Sequence, residues 1–151
     1  MRELLKNVAS LPDVEIGETA EDFKTVAERT LNNREKVIRY LGSAELLMDA
    51  YDHAYDQEYY IPKRIKLGIL VKMLAADSVF MRTYQKTDSQ EVRETRCLPN
   101  DVTMDYSVMV YDDTVVLYGK DEKLFSLSIT SPSIATSMKA MFDDMWRNAT
   151  P

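Results

Sequence analysis

Tyr106-Ser-Val-Met-Val-Tyr111, Asp112-Asp113, Thr114-Val-Val-Leu-Tyr118 is the stretch on which the fold turns. Two runs of β-branched and aromatic residues flank a two-residue acidic break, the pattern of a β-hairpin. Leu124-Phe-Ser-Leu-Ser-Ile129 follows and alternates strictly, so it reads as the next strand. Ser131 then suits a helix N-cap and Pro132 the first helical position. Ile134, Met138, Met141, Phe142, Met145 and Trp146 recur at helical spacing, against a polar face of Lys139, Asp143 and Asp144. Three consecutive strands closed by an amphipathic helix call for a sheet with helices packed on it.

Working back toward the N-terminus, Glu91–Leu98 alternates, with Val92, Glu94, Arg96 and Leu98 on one side, and stops at Pro99. Ser78 to about Thr87 reads as a short helix with Val79, Phe80 and Tyr84 turned inward. Ile65–Leu74 is an apolar run that suits a buried strand or a core helix. The β-branched Ile65, Ile69 and Val71 favour strand. Ser43 opens a helix running through Ala44, Leu47, Met48, Tyr51 and Tyr55 and ending before Pro62. Lys36–Gly42 is β-rich and closes on glycine. A further helix starts at Ala20, capped by Thr19 and Asp22, with Phe23, Val26, Ala27 and Leu31 inward, and stops at Asn32-Asn33. Pro12 and Gly17 break the chain before it, and Arg2–Ala9 reads as a short helix. The expectation is a mixed α/β (α+β) fold: one domain over 18–151, preceded by a helix and linker at 1–17.

With 151 residues, 45% hydrophobic and 29% charged, the chain can build one core without disulfides or metals. Its formal net charge is -6, from 19 Lys+Arg against 25 Asp+Glu. That argues against a surface for nucleic-acid phosphates, so no direct nucleic-acid contact is expected. Cys97 is the single cysteine, so no intramolecular disulfide forms and a cytoplasmic setting fits. The single His53 excludes any mechanism needing two histidines in one chain. No apolar run reaches the roughly 18 residues of a membrane span. Gly17, Gly42, Gly68 and Gly119 are isolated, so there is no glycine-rich phosphate loop, and no tight basic helix pair suggests a helix-turn-helix. No cofactor is expected.

Several clusters carry chemistry or packing. Glu45, Asp49, Asp52, His53 and Asp56 share a helical face, a donor set a divalent metal would accept. No second cluster accompanies them and Lys63 and Arg64 follow, so they are read as a solvated acidic stripe and no metal site is assigned. Tyr51, Tyr55, Tyr59 and Tyr60 suit stacking on a ring ligand or plain half-buried packing. Arg93 and Arg96 near Cys97 would lower a thiol pKa, but a lone cysteine in an alternating strand more simply fills core. Leu41-Gly42-Ser43-Ala44-Glu45 is a strand-to-helix turn whose N–H groups and Ser43 hydroxyl suit an anionic or hydroxylated ligand. Ser43, Tyr51 and Arg96 are therefore expected to line one cavity, with Tyr55 flanking it. The alternative is a plain turn, with Arg96 paired to a structural carboxylate.

Val92-Arg-Glu-Thr-Arg-Cys-Leu-Pro99, the hairpin with its acidic turn, Leu127-Ser-Ile-Thr-Ser-Pro-Ser-Ile-Ala135 and Met141-Phe-Asp-Asp-Met-Trp146 stand in an order that resembles the C-terminal part of TrmB-like transcriptional regulators. The resemblance spans about residues 18–149 and is carried mainly beyond residue 90. Such regulators join a winged helix-turn-helix to a phospholipase D-like effector module; this chain resembles the module only. The resemblance implies a phospholipase D-like sheet, a possible small-molecule effector (a sugar, or another polyol or anion), a homo-oligomer such as a dimer, and a role in transcription regulation. Phospholipase D enzymes use His-x-Lys-x-x-x-x-Asp, with the His attacking phosphorus and the Lys holding phosphate oxygens. With Asp112 at the motif's Asp, Asp105 stands for the His and Ser107 for the Lys; with Asp113 there, Tyr106 and Val108 do. Neither register supplies the chemistry. The chain is expected to be a non-catalytic sensing or assembly module rather than an enzyme. The alternatives are a purely structural dimerisation module or, on the acidic stripe alone, a divergent metal-dependent hydrolase.

Overall fold

The structure, a computed structural model, describes residues 11–151. The helix expected at Arg2–Ala9 lies outside them. The chain runs through β1 (Asp13–Gly17), α1 (Ala20–Thr30), β2 (Val37–Gly42), α2 (Ala44–Ala50), a π-helical turn (Tyr55–Tyr60), α3 (Ile61–Lys66), β3 (Leu70–Ala75), α4 (Val79–Gln85), β4 (Arg93–Cys97), β5 (Tyr106–Tyr111), β6 (Thr114–Lys120), β7 (Leu124–Thr130) and α5 (Pro132–Asn148). All seven strands form one sheet in the order β1-β7-β6-β5-β2-β3-β4. β2, β3 and β4 are parallel, and the crossovers between them are helical, as parallel pairing requires. From β2 outward through β5, β6, β7 and β1 the pairing is antiparallel. This is a mixed α+β sheet flanked by helices, as the sequence led one to expect.

Strand alternation sorts the core onto two faces. Ile38, Tyr40, Met73, Met109, Tyr111, Val116 and Tyr118 pack beneath the helices from the first half of the chain, against Phe23 and Val26 of α1, Leu31 at its C-cap and Met81 of α4. Leu74, Val108, Val110 and Val115 point the other way and meet α5 through Ala135, Phe142 and Trp146. Thr19 and Asp22 form a reciprocal capping box on α1, and Ser131 caps α5 with Pro132 in its first turn. The hairpin turns at Asp112, whose φ is 46°. Gly42 closes β2 with a φ of 132°, and a Cβ there would stand 2.6 Å from the Tyr106 carbonyl oxygen. Only glycine lets β2 meet β5 so closely.

Four expectations are corrected. The stretch around Pro12 is not wholly linker, because Asp13–Gly17 pairs with β7 as an edge strand. The helix from Ser43 is not continuous to Pro62: it stops at Ala50, and the π turn that follows runs directly into α3, so Pro62 lies within a helical run rather than after its end. Ile65 and Lys66 end α3, and the strand occupies only Leu70–Ala75. In α4 the buried residue is Met81, while Val79 is 87% exposed and Phe80 is 40% exposed. The β4 edge is covered by the chain after α5, through Cys97 N–H to the Thr150 carbonyl at 2.7 Å.

Candidate functional site

A cavity of about 60 Å³, counted as volume open to the centres of water molecules, lies between the sheet and the helices α1, α2, the π turn and α3. Its walls are mainly carbon. Ile38, Val71, Met73 and Met109 supply the floor from the sheet, and Tyr40, Tyr51, Tyr60 and Tyr84 supply rings. The hydroxyls are largely spent on the protein. Tyr40 donates to the Ser43 carbonyl at 2.6 Å, and Tyr51 pairs with Tyr118 at 2.6 Å. Thr30 gives its proton to the Ala27 carbonyl, so Tyr60, 2.6 Å from the Thr30 oxygen, is the donor there. Burial pushes the Tyr60 phenol up to about 12, with its bond to Thr30 opposing.

Three charged residues reach this cavity. Arg93, on β4, lies 3.7 Å from the centre of the Tyr84 ring and pairs with Asp88 at 2.7 Å and with Glu91. Arg64, on α3, is 2% exposed and donates to three carbonyls, those of Ile69, Val92 and Glu91. It thereby holds Val92, a β-branched residue at φ 49°, an unfavourable conformation that surrounding contacts must enforce. Asp56, in the π turn, is 8% exposed and accepts from the Gln57 side chain at 3.1 Å. Its carboxyl is pushed above the ordinary carboxylate range, first by burial.

The four residues expected to share a cavity are not brought together. Tyr51 does line this one. Ser43 instead caps α2 through Leu46 N–H at 3.3 Å and lines a separate cleft of about 140 Å³ with Ala75, Ser78 and Met104. Tyr55 stacks on Tyr51 with ring centres 6.1 Å apart, but its hydroxyl turns to Glu28 at 3.0 Å. Arg96 lies on the opposite face of the sheet, where its guanidinium is 4.5 Å from the Trp146 ring centre and donates to the Trp146 carbonyl at 2.7 Å. β-Alternation explains the separation: Val71 and Met73 stand beside Arg93 and Thr95, whereas Leu74 stands beside Arg96. The alternation made Arg93 available to the cavity and denied it Arg96. Asp56 was legible as an acid of the stripe. Its inward turn was not, because the π turn departs from the 3.6-residue period.

The acidic stripe is likewise broken. Asp49 reaches toward Lys120 at 4.0 Å, Asp52 accepts from Ala54 N–H at 2.8 Å, and Asp56 turns inward. Among the described residues no three His, Cys, Asp or Glu gather as a metal-ligand group. Cys97 is buried, and burial pushes its thiol up, away from reactivity.

At the start of β5, Asp105 and Tyr106 are exposed, Ser107 is fully buried and Val108 is buried. The Ser107 hydroxyl accepts from Ser43 N–H at 3.0 Å and donates to the Ser43 carbonyl at 3.0 Å. Asp112 accepts from the N–H groups of Arg34 at 3.0 Å and Glu35 at 3.1 Å, stapling the β2 approach to the hairpin.

No protein-family model matches the chain, and no curated protein matches it in sequence. Solved structures do match. TrmBL2, an archaeal chromatin protein with a novel mode of DNA binding, superposes with a TM-score of 0.63 at 16% identity, over 99% of this chain and 60% of that one. NucT from Helicobacter pylori gives 0.62 at 12% identity, over 92% of this chain and 98% of that one. Nuc from Salmonella typhimurium, a phospholipase D family member, gives 0.64 at 16% identity, over 91% and 96%. The fold is therefore phospholipase D-like. The chain spans less than two thirds of the archaeal chromatin protein's length.

Proposed function

We propose that this chain is a non-catalytic, phospholipase D-like module that senses a small effector for a TrmB-like transcriptional regulator in the cytoplasm. One observation carries the reading: the strand that would present nucleophile and cation presents neither. With Asp112 at the motif's Asp, Ser107 stands for the lysine, and it is buried with its hydroxyl committed in both directions to the Ser43 backbone. Asp105, in the histidine's place, is an acceptor-only carboxylate. Asp112 is spent on backbone N–H groups. His53 sits on another element and is exposed. The small cavity beneath the helices, with Asp56, Arg64 and Arg93 at its walls, is the feature that favours sensing over a purely structural role. The test is an assay of the purified chain on an activated generic phosphodiester, with and without a chelator. No turnover above buffer is expected. Turnover that co-purifies with the chain through successive columns overturns the reading.

A second reading, a structural dimerisation module, has its own supporting observation. Met138, Met141 and Met145 of α5, with Met104, Val102 and Tyr106, form an apolar groove of about 340 Å³ in which Met141 is 58% exposed and Tyr106 is 50% exposed. Methionine surfaces adapt to a partner, and a second copy would bring the same patch to a two-fold axis. Sedimentation of the wild-type chain against Met141→Lys separates the readings: a dimer dissociated by the substitution favours assembly, and a monomer in both removes it.

A further inference from the structure

The helix α5 leaves one corner of its own sheet face open. Residues paired across a ladder point to the same side. Ile16, Leu127, Leu117 and Val108 therefore share a row on the α5 side, and Val14, Ile129, Val115 and Val110 share the next. The inner ends of these rows, Val108, Val110 and Val115, are buried in one cluster with Ala135 of α5. At the outer ends Val14 and Ile16 are more than half exposed, and Leu127 and Ile129 are half-buried. Phe125 widens the corner, because its ring lies over Gly119, where a Cβ would stand 2.5 Å from it. Among the described residues no element buries the outer end of either row. The open area is one helix wide: two strands about 4.8 Å apart match the roughly 10 Å diameter of a helix.

The sequence that leads into this corner carries a matching stripe. Met1, Leu4, Leu5 and Val8 recur at i, i+3, i+4 and i+7, and Leu11 continues the spacing, with Arg2, Glu3, Lys6 and Asn7 opposite. Arg2–Ala9 lies outside the described residues, and Leu11 and Pro12 are the link from it to β1. A helix of eight residues is about 12 Å long, within the roughly 17 Å of a five-residue strand such as β1. A helix that short does not hold in water without a packing partner. β1 begins opposite Thr130, and α5 begins two residues after Thr130. A chain reversing at Pro12 onto this side therefore runs antiparallel to β1 and beside α5. The tether also decides between occupants. A segment joined this closely to its site faces an effective concentration of about millimolar, far above that of a second copy in dilute solution.

We propose that residues 2–9 dock as an amphipathic helix on the sheet face over β7 and β1, with Leu4, Leu5 and Val8 against Ile16, Leu127 and Ile129. The chain itself is then the partner of this surface, whichever reading of its function holds. The test is NMR of the full chain with labelled Leu, Val and Ile methyl groups. It is run beside a mixed sample in which labelled and unlabelled molecules are combined, so that contacts between molecules are seen separately. Nuclear Overhauser contacts from Leu4, Leu5 and Val8 to Ile16, Leu127 and Ile129 are expected within one molecule. Leu5→Asp is expected to abolish them and to raise severalfold the broadening of the Leu127 and Ile129 methyl signals by a soluble gadolinium chelate. Lys6→Gln, on the polar side of the stripe, is expected to change neither, and amide spectra show that both variants are folded. Should Leu5→Asp not fold, Leu4→Ala replaces it with the same expected direction. The absence of contacts from residues 4–8 to the sheet overturns the proposal, and so does unchanged broadening in the folded variant. Contacts seen only between molecules overturn it in favour of a second copy.

Discussion

The two faces of the sheet solve the same burial problem in different ways. One face lies under four helices and a π turn, and it contains two buried arginines, the buried Asp56 and paired tyrosine hydroxyls (Tyr51 with Tyr118, Tyr60 with Thr30) around a cavity. The other lies, among the described residues, under α5 alone, and its contact is a hydrocarbon seam ending in the stacked rings of Phe142 and Trp146, 5.7 Å apart. The polar groups beside that seam sit at its margin: Arg39 pairs with Asp143 at 3.1 Å, and Lys139 with Glu35. A single amphipathic helix can cover its half of a sheet only by packing densely. A layer assembled from several short helices meets the sheet with irregular ends, and irregular ends leave space and polar backbone that side chains such as Arg64 must satisfy. The difference places packing energy on one face and chemical opportunity on the other.

If the α5 face is held by its seam, the largest effect comes from its anchor. Trp146 is 7% exposed, its ring stacks on Phe142, and Arg96 and Lys72 stand over it at 4.5 Å and 5.7 Å from the ring centre. Trp146→Ala should cost about 3–5 kcal/mol, a large share of a typical domain's stability. Urea unfolding measures it. A loss under about 1 kcal/mol would mean that α5 does not depend on this ring, and the contrast between the faces would fail.

The helical face should respond to the loss of single polar atoms. Tyr118→Phe removes one oxygen and leaves the Tyr51 hydroxyl without its partner in a buried setting. A cost of about 1–3 kcal/mol is expected from the same unfolding measurement. A neutral result would show that the pair exchanges readily with water in the cavity. Asp56 provides the pH-dependent case. Burial raises its carboxyl; the Gln57 bond, Arg64 and His53 act against that and Glu91 acts with it. A raised carboxyl binds its proton more tightly folded than unfolded. Its contribution is therefore full below the ordinary value of about 3.9 and is lost as pH rises through the folded value. Relative to wild type, Asp56→Asn should gain stability as pH rises from about 4 toward neutrality. Denaturant midpoints across that range check the sign. A variant that instead loses stability with rising pH would show that Asp56 is ion-paired in solution.

How far the sequence announced this arrangement differs by face as well. The hairpin, β7 and α5 were legible because apolar residues there recur at the period of their element and because Asp112, Ser131 and Pro132 mark its ends. β1 escaped because Val14 and Ile16 lie exposed at a sheet edge, 54% and 71%, so its pairing rests on backbone groups that no periodicity reports. The helical face was harder still. Arg64 reads as a solvent residue by type, yet it is among the most buried side chains. The π turn shifts every position after Tyr55 away from the α-helical register that sequence spacing assumes. Tyr51 lines a cavity that Ser43 and Arg96 do not share: lying near the carboxyl ends of their strands does not fix which side of the sheet Ser43 and Arg96 take.

The smallest stability effect should come from the groove beside α5, and it sharpens the comparison most finely. Met141 belongs to the same apolar stripe as Phe142 and Met145, but it is 58% exposed, against 3% for Phe142. The helix turns more of its circumference apolar than the sheet below can cover. Little apolar area leaves water when Met141 is in place, so Met141→Lys should change the unfolding free energy by no more than about 0.5 kcal/mol. Its charged end can extend into solvent while its stem lies along the groove. Urea unfolding at two widely separated protein concentrations gives the answer. A small change at both means that the seam from Ala135 through Phe142 to Trp146 alone holds α5. A substantial loss that appears only at the higher concentration means that a second copy covers the groove, since only a concentration-dependent partner adds stability in that way. In that case the sparsely covered face is the one used for association, and the cavity-bearing face is left free.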